Sequence, residues 1–459
     1  VIEFYLQATD TSGRSRTWPA PTLDTNGVSG QLANALYQVD NETVTNLMPT
    51  VRVVLTGTEQ SFLQQSGTIN SDSAMNLTLI TTDAEGTKVR YTSSARIRGA
   101  GSRGRNPKNN RIDIPGDNLW NGLGSINLNG LYPHSQVLGN NLAIRSGVPA
   151  EISRVVQYRI NGVNPAPLPA PGVGTTPYGG YGTYVLLHPP DGDLASDLFP
   201  NDGGGNYYRA SVGGHTADLS YQGGNPNNWL TRGYYKTSNR TENDWSDFAA
   251  LTFAFEQVAN NADYVTAIST NVNVAEWMRY FAVGSLMNYG ETSIHNGIGD
   301  DYALYRGLVD RRFQLVSHDF DTIFGMGDTG SSYYPINTNS SIFVMLNPPN
   351  ANANVPLLRR FMTNAAFAPL FYQELKTLCD TTFHPTNLNP YIQQMLGGWG
   401  NGPTATTISD IQTYANNRRL VALSQIPLTL TLAHGLSLSN GFPYTADRKS
   451  TRLNSSHRT

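Results

Sequence analysis

The stretch from Glu291 to Asp328 reads E-T-S-I-H-N-G-I-G-D-D-Y-A-L-Y-R-G-L-V-D-R-R-F-Q-L-V-S-H-D-F-D-T-I-F-G-M-G-D. Its carboxylates fall in three groups: Glu291, then Asp300 and Asp301, then Asp319 and Asp321. Two apolar runs separate the last two groups, Tyr302-Ala303-Leu304-Tyr305 and Phe313-Gln314-Leu315-Val316. A turn around Asp310 folds them into a hairpin. The hairpin ends then lie side by side and bring Asp300/Asp301 close to Asp319/Asp321. Gathered carboxylates repel unless a hard cation neutralises them, and Mg²⁺ held by a few carboxylates plus phosphate oxygens is the usual solution. Asp and Gly are also ordinary turn residues, so Asp300 alone reads equally well as a solvated hairpin end. Asp319 and Asp321 sit inside an apolar run that extends to Ile323-Phe324-Gly325, where unpartnered acids are costly.

Working outward, a helix after Asn273 and Glu276, a capping pair, carries Trp277, Tyr280, Phe281, Gly284 and Met287 on one face. It delivers Asn288 and Glu291 to the acidic stretch, and its aromatic stripe is core. Upstream, strands are expected at 51–55, 75–80 and 88–91. A further strand, 95–98, enters Gly99-Ala100-Gly101-Ser102-Arg103-Gly104-Arg105-Asn106-Pro107-Lys108, and Arg111-Ile112-Asp113-Ile114 leaves it. Such a turn can offer backbone N–H groups and cations to a phosphate chain, although its order is not that of a Walker loop. Strands 155–160 and 181–188 flank a Pro/Gly-rich insert, and 191–206 reads as a loop. After 330, helices are expected at 355–362, 365–378, 388–396 and 408–423.

The low charge, the abundance of Gly, Pro, Asn, Ser and Thr, and recurrent Tyr, Phe, Leu and Val describe a loop-rich globular chain of 459 residues with net charge -3. That balance gives no reason to expect a nucleic-acid partner. Cys379 is the sole cysteine, so neither an intrachain disulfide nor a cysteine metal site is possible. No apolar run is long enough to span a bilayer. The chain opens in mid-strand and is read as a fragment whose upstream part, with any targeting signal, is missing. Residues 1–25 look like the last hairpin of an immunoglobulin- or fibronectin-like sandwich, with an edge hairpin of the main domain as the alternative, 26–49 like a linker, 50–425 like the main domain, and 426–446 like a closing strand or the start of another module. Residues 447–459 turn abruptly basic and polar. They resemble a translated vector sequence and are expected to be disordered.

Taken together these segments resemble the CotH kinase family, atypical kinases of spore coats and other secreted or surface proteins. That family carries an Asp after a helix, a strand led by His-Asn-Tyr-Tyr, an acidic Trp-Asp-x-Asp motif followed by Phe-Gly, and an Arg-Gly-x-Ser turn followed by Pro-Lys-Lys. The counterparts here are Glu291, Asp301-Tyr302, His318-Asp319-Phe320-Asp321 with Phe324-Gly325, and Arg98-Gly99, Ser102 and Pro107-Lys108. Four positions depart from the pattern: Glu291 replaces Asp, His318 replaces Trp, Asn109 replaces the second Lys, and His188 stands where an acid often ends the strand. The resemblance implies an α+β, two-lobe kinase-like domain with a β-rich N-lobe and a helical C-lobe. It implies ATP with Mg²⁺ or Mn²⁺, held by Asp301, Asp319 and Asp321, with Arg98, Ser102, Lys108 and Arg111 on the phosphates. Glu291 and Asp319 would be catalytic, Glu291 accepting a proton from a Ser or Thr hydroxyl on a protein substrate outside the cell or on its surface. The alternative is a catalytically inactive member serving as a surface scaffold. A metal-dependent hydrolase fits less well, because His215, His295 and His318 lack H-E-x-x-H spacing and no G-x-S-x-G elbow accompanies them.

Overall fold

The computed structural model describes residues 1–24, 26–39, 48–99, 101–166, 181–210, 217–290, 294, 301–328, 337–343, 356–399, 402–427, 437–439 and 442–444. Six short strands open the chain: β1 (Ile2–Phe4), β2 (Leu6–Thr9), β3 (Ser15–Trp18), β4 (Thr22–Leu23), β5 (Ser29–Gly30) and β6 (Ala35–Tyr37). β2 pairs with β3 antiparallel, the turn between them closed by the Asp10 carboxylate, which accepts from the N–H groups of Ser12 and Arg14 at 2.9 Å. Strands continue beyond residue 25, where a linker is expected from sequence. β6 pairs with β1, because Ala35 and Leu36 are fully buried and hold that segment down. The rings of Phe4 and Trp18 meet Tyr91 edge-on at 5.7 and 5.6 Å. Residues Val1–Gln425 make one compact unit and Ile426–Thr459 another. Of the second, the hairpin Ser437–Ser439 and Phe442–Tyr444 is described; residues 447–459 lie outside the described residues.

Then come β7 (Thr50–Val54), α1 (Gly57–Gln64), β8 (Met75–Asp83), β9 (Gly86–Ile97), β10 (Asn110–Asp113), β11 (Ser125–Asn129), α2 (Pro133–Arg145), β12 (Ser153–Ile160) and β13 (Tyr184–Leu187). The strands close into a barrel in the order β10-β11-β13-β12-β7-β8-β9. Alternate residues point inward, as the period of two demands: Val51 and Val53, Leu77 and Leu79, Ala95 and Ile97, Val156 and Tyr158 fill the interior. α1 is set by a capping box, in which Thr56 and Glu59 satisfy each other's exposed backbone N–H groups.

The second half holds α3 (Gly192–Leu198), β14 (Asn206–Ala210), α4 (Pro226–Thr231), β15 (Tyr234–Lys236), α5 (Ser246–Glu256), α6 (Asn261–Asn271), α7 (Val274–Met287), β16 (Tyr302–Arg306), β17 (Gln314–Ser317), β18 (Thr322–Ile323) and β19 (Met326–Gly327). Last come α8 (Pro356–Thr363), α9 (Ala368–Asp380), α10 (Pro385–Leu396) and α11 (Ala405–Gln425). α3 falls where a loop is expected. Asp191 caps it through the N–H of Asp193, and Leu194 and Ala195 are fully buried, so two apolar residues and a good cap outweigh the Asp/Gly composition. A four-stranded sheet runs β15-β14-β16-β17, with β16 and β17 forming the antiparallel pair expected from Tyr302 and Val316.

α7 frames this sheet. At its start the Glu276 carboxylate accepts from the N–H of Leu315 at 2.9 Å and Trp277 Nε1 donates to the Phe313 carbonyl at 3.0 Å. At its end the Phe324 N–H donates to the Met287 carbonyl at 2.7 Å, and the Gly290 N–H to the Thr322 carbonyl at 3.1 Å. α11 braces that end. Tyr414 accepts from Asn288 Nδ2 at 2.8 Å, and the fully buried Arg418 donates to the carbonyls of Ser285 at 2.8 Å and Ser341 at 3.3 Å.

Two outcomes follow from this frame. Burial pushes the Glu276 carboxyl up to about 8, against the lowering effect of the Leu315 N–H and Arg279. Its folded pKa thus lies above its unfolded value, so the folded state binds the extra proton. Stability is lost as pH climbs from the unfolded value of 4.5 toward 8. Glu276→Gln is therefore expected to stabilise the protein at pH 8, on the order of 3 kcal/mol, and by little at pH 5, as read from urea denaturation midpoints. Arg418→Met strands several buried carbonyls and is expected to cost about 3 kcal/mol or more in the same assay.

Candidate active-site cleft

Asp301 precedes β16 and His318 follows β17, so hairpin register alone sets them together, with His318 Nδ1 4.0 Å from Asp301 Oδ1. Asp301 and Asp319 both adopt left-handed backbone, φ 59° and 61°, a region in which Asp and Asn are enriched among non-glycine residues. The chain then folds tightly on itself. β18 pairs with β19 through a turn at Phe324-Gly325, and the Asp328 N–H donates to the Asp321 carbonyl at 3.0 Å. A Cβ on Gly327 would lie 1.5 Å from that same carbonyl oxygen, so only glycine fits. α2 supports the loop from behind. Ser135 donates to the Phe320 carbonyl at 2.8 Å, and Phe320 lies against Gly139, where a Cβ would meet the ring at 2.6 Å.

The glycine turn lies between β9 and β10. Its base is closed by the Arg98 N–H on the Asn109 carbonyl at 3.0 Å. Arg103 staples it from outside, donating to the carbonyls of Gly99 at 2.8 Å and Ile69 at 3.1 Å and pairing with Asp72. Gly99 has φ +109° and packs on Ser102, which excludes a side chain there. Turn and acidic loop together enclose a cleft of ≈ 920 Å³. Asp301, Asp319, Asp321 and Asp328 line it together with Arg98, Ser102, Arg105 and Arg111. Arg105 reaches Asp328 at 3.5 Å, and Arg111 pairs with Asp113 at 2.9 Å.

Arg209 also lines the cleft, and Glu151 and His318 lie buried within reach of its charge. Glu151 is 3% exposed, and burial pushes its carboxyl up to about 7, opposed by Arg98 and Arg209 and by the N–H that Asp319 donates to it. Burial draws Arg98 down, and the Asp319 and Glu151 carboxylates pull it back up. The buried His318 is driven well below its ordinary value by desolvation, then by Arg209 and Arg98, so it is neutral. Lys108 does not line the cleft. Its Nζ donates to the Arg103 carbonyl at 3.2 Å and secures the turn. His188 pairs with Asp197 at 2.9 Å.

Of the residues singled out from sequence, Arg98, Ser102, Arg111, Asp301, Asp319 and Asp321 thus face one cleft, and Lys108 does not. Glu291, His295 and Asp300 lie outside the described residues. Among the described residues no three His, Cys, Asp or Glu side chains gather closely enough to hold a metal ion by themselves. Sequence reasoning passed over Glu151, Arg209, Arg105 and Asp328. Glu151 directly follows the Val148-Pro149-Ala150 run, and Arg209 follows two buried tyrosines on β14; a single charge ending each buried run is the available signal.

The likeness to solved structures is distant. A complex of HipA, HipB and operator DNA from Shewanella oneidensis MR-1 matches at 9% identity over 73% of this chain and 64% of that one, with TM-score 0.28. The chain therefore spans less than two thirds of that protein's length. The Helicobacter pylori proinflammatory kinase CtkA matches at 10% identity over 69% of this chain and 94% of that one, with TM-score 0.27. No curated protein matches the sequence. Among the described residues no helix is long and apolar enough to cross a membrane. The family model described as CotH kinase protein matches residues 95–416, from the strand that enters the glycine turn to the helix that braces α7. The chain belongs to the CotH kinase family.

Proposed function

We propose that this kinase-like protein transfers the terminal phosphoryl group of ATP to a Ser or Thr hydroxyl of a protein outside the cell or on its surface. The barrel would be the N-lobe of a two-lobe kinase layout and the helices its C-lobe. One observation carries the reading: acids of the β16–β17 hairpin ends and cations of the glycine turn, far apart in sequence, line one cleft. Phosphoryl transfer asks a protein chiefly to position reactants and to neutralise charge, and this arrangement suits both.

The acids fit a hard divalent ion that arrives with its nucleotide. Mg²⁺ takes one or two carboxylates and fills its shell with phosphate oxygens and water, and several carboxylates line the cleft. Asp319, Asp321 and Asp301 would hold Mg²⁺ or Mn²⁺, which when bound offsets charge on the transferring phosphate. Arg98, Arg111 and Ser102 would orient the phosphates. Glu291 would accept the proton of the incoming hydroxyl. Lys108 supports the turn from within, a position that also suits an inactive, nucleotide-binding scaffold. Nucleotide binding without any transferred phosphate would favour that second reading.

Incubation with labelled ATP and Mg²⁺ or Mn²⁺ is expected to label the protein or an added substrate, and chelation to abolish the signal. Asp319→Ala is expected to lower the transfer rate roughly a hundredfold or more. Labelling equal to the parent would remove Asp319 from the site. Lys108→Ala is expected to change ATP affinity by less than about threefold in calorimetry, since its ammonium is committed to a backbone carbonyl. A larger loss would return Lys108 to the phosphates.

A further inference from the structure

Most arginines around the cleft already have an anionic partner: Arg96 and Arg103 pair with Asp72, Arg105 with Asp328, and Arg111 with Asp113. Arg98 and Arg209 do not. Neither is in an ion pair among the described residues, and each holds a buried guanidinium nitrogen with no hydrogen-bond partner, Nη1 of Arg98 and Nε of Arg209. A buried donor left unsatisfied costs about 1–3 kcal/mol, and more when charged, so two side by side at a cleft mark a place built for a ligand. They come from different sheets. Arg98 leaves the end of barrel strand β9, while Arg209 lies on β14 opposite Ala303 of β16, two residues from Asp301. Both line the cleft, and Glu151 lies buried where it feels both.

Resting on the phosphotransferase reading, we infer that Arg98 and Arg209 form a two-arginine clamp for the polyphosphate of the donor nucleotide. Two planar forks brought to one cleft from different sheets suit adjacent phosphates, where each guanidinium can bind two oxygens at once. The clamp therefore reads phosphate number. A monophosphate can engage one fork, whereas a di- or triphosphate reaches both. The buried Glu151 carboxyl, which accepts from the Asp319 N–H, lies within the field of both guanidiniums without pairing with either.

Calorimetry of the full chain with Mg²⁺ and adenosine tri-, di- and monophosphate tests this. The parent protein is expected to bind more tightly with each added phosphate. Arg209→Ala is expected to weaken triphosphate binding roughly 10- to 100-fold, to weaken monophosphate binding much less, and so to flatten the series. Arg209→Lys, keeping the charge and losing the fork, is expected to fall between them. Circular dichroism checks folding, and Arg209→Gln, which keeps the packed stem, serves if the alanine variant unfolds. A series as steep in the folded variant as in the parent would overturn the clamp and leave phosphotransfer standing. A parent protein that binds none of the three nucleotides would overturn both.

Discussion

Burying a carboxyl is expensive, and much of the fold around the cleft serves to place Glu151 within the fields of two guanidiniums. Desolvation drives its proton affinity up, while Arg98, Arg209 and the Asp319 N–H drive it down. Each partner belongs to a different part of the chain: the end of a barrel strand, the middle of a sheet strand, and the loop beyond β17. Moving any of them changes the field on that buried carboxyl, so the electrostatics couple the glycine turn to the acidic loop.

Rigidity around that carboxyl comes from hydrogen bonds rather than from apolar packing alone. α7 holds β17 at its first turn through Glu276 and Trp277, and holds the acidic loop at its last turn through Met287 and Gly290. α2 holds the same loop from the other side through Ser135 and the close approach at Gly139. Arg418 and Tyr414 lock the end of α7 in turn. Asp319 can remain in left-handed backbone because its neighbours on both sides are fixed.

The local pattern made the hairpin, the α7 cap and the barrel strands legible. Alternation at Val51-Val53 or Leu77-Leu79 reports a half-buried strand, and Asn273 three residues before Glu276 reports a helix start. Glu276 itself departs from the pattern: Asn273 accepts from its N–H, but its carboxylate turns to Leu315 instead of back to the cap. α3 was missed because Asp191 and Gly192 read as turn residues, and only burial of Leu194 tips the balance. Convergence of Asp301 and Asp319 follows from register and was readable. Arg209 and Glu151 were not, because their meeting depends on how sheet, barrel and α2 pack, which no local period encodes.

The identity of the cleft cations has its own physical reason. Lysine loses its proton readily when desolvated, whereas a guanidinium stays charged at any ordinary pH. The interior beside this cleft is buried deeply enough to raise the Glu151 carboxyl to about 7 and to keep His318 neutral. An ammonium in the place of Arg98 would face the same desolvation with a smaller margin before it discharged. Arginine also brings a planar fork that can satisfy an acid on one edge and a phosphate on the other. Lys108, by contrast, sits on the turn's own carbonyl, where a compact point charge is enough. The cleft thus places arginine where charge must survive burial and leaves lysine to hold the loop.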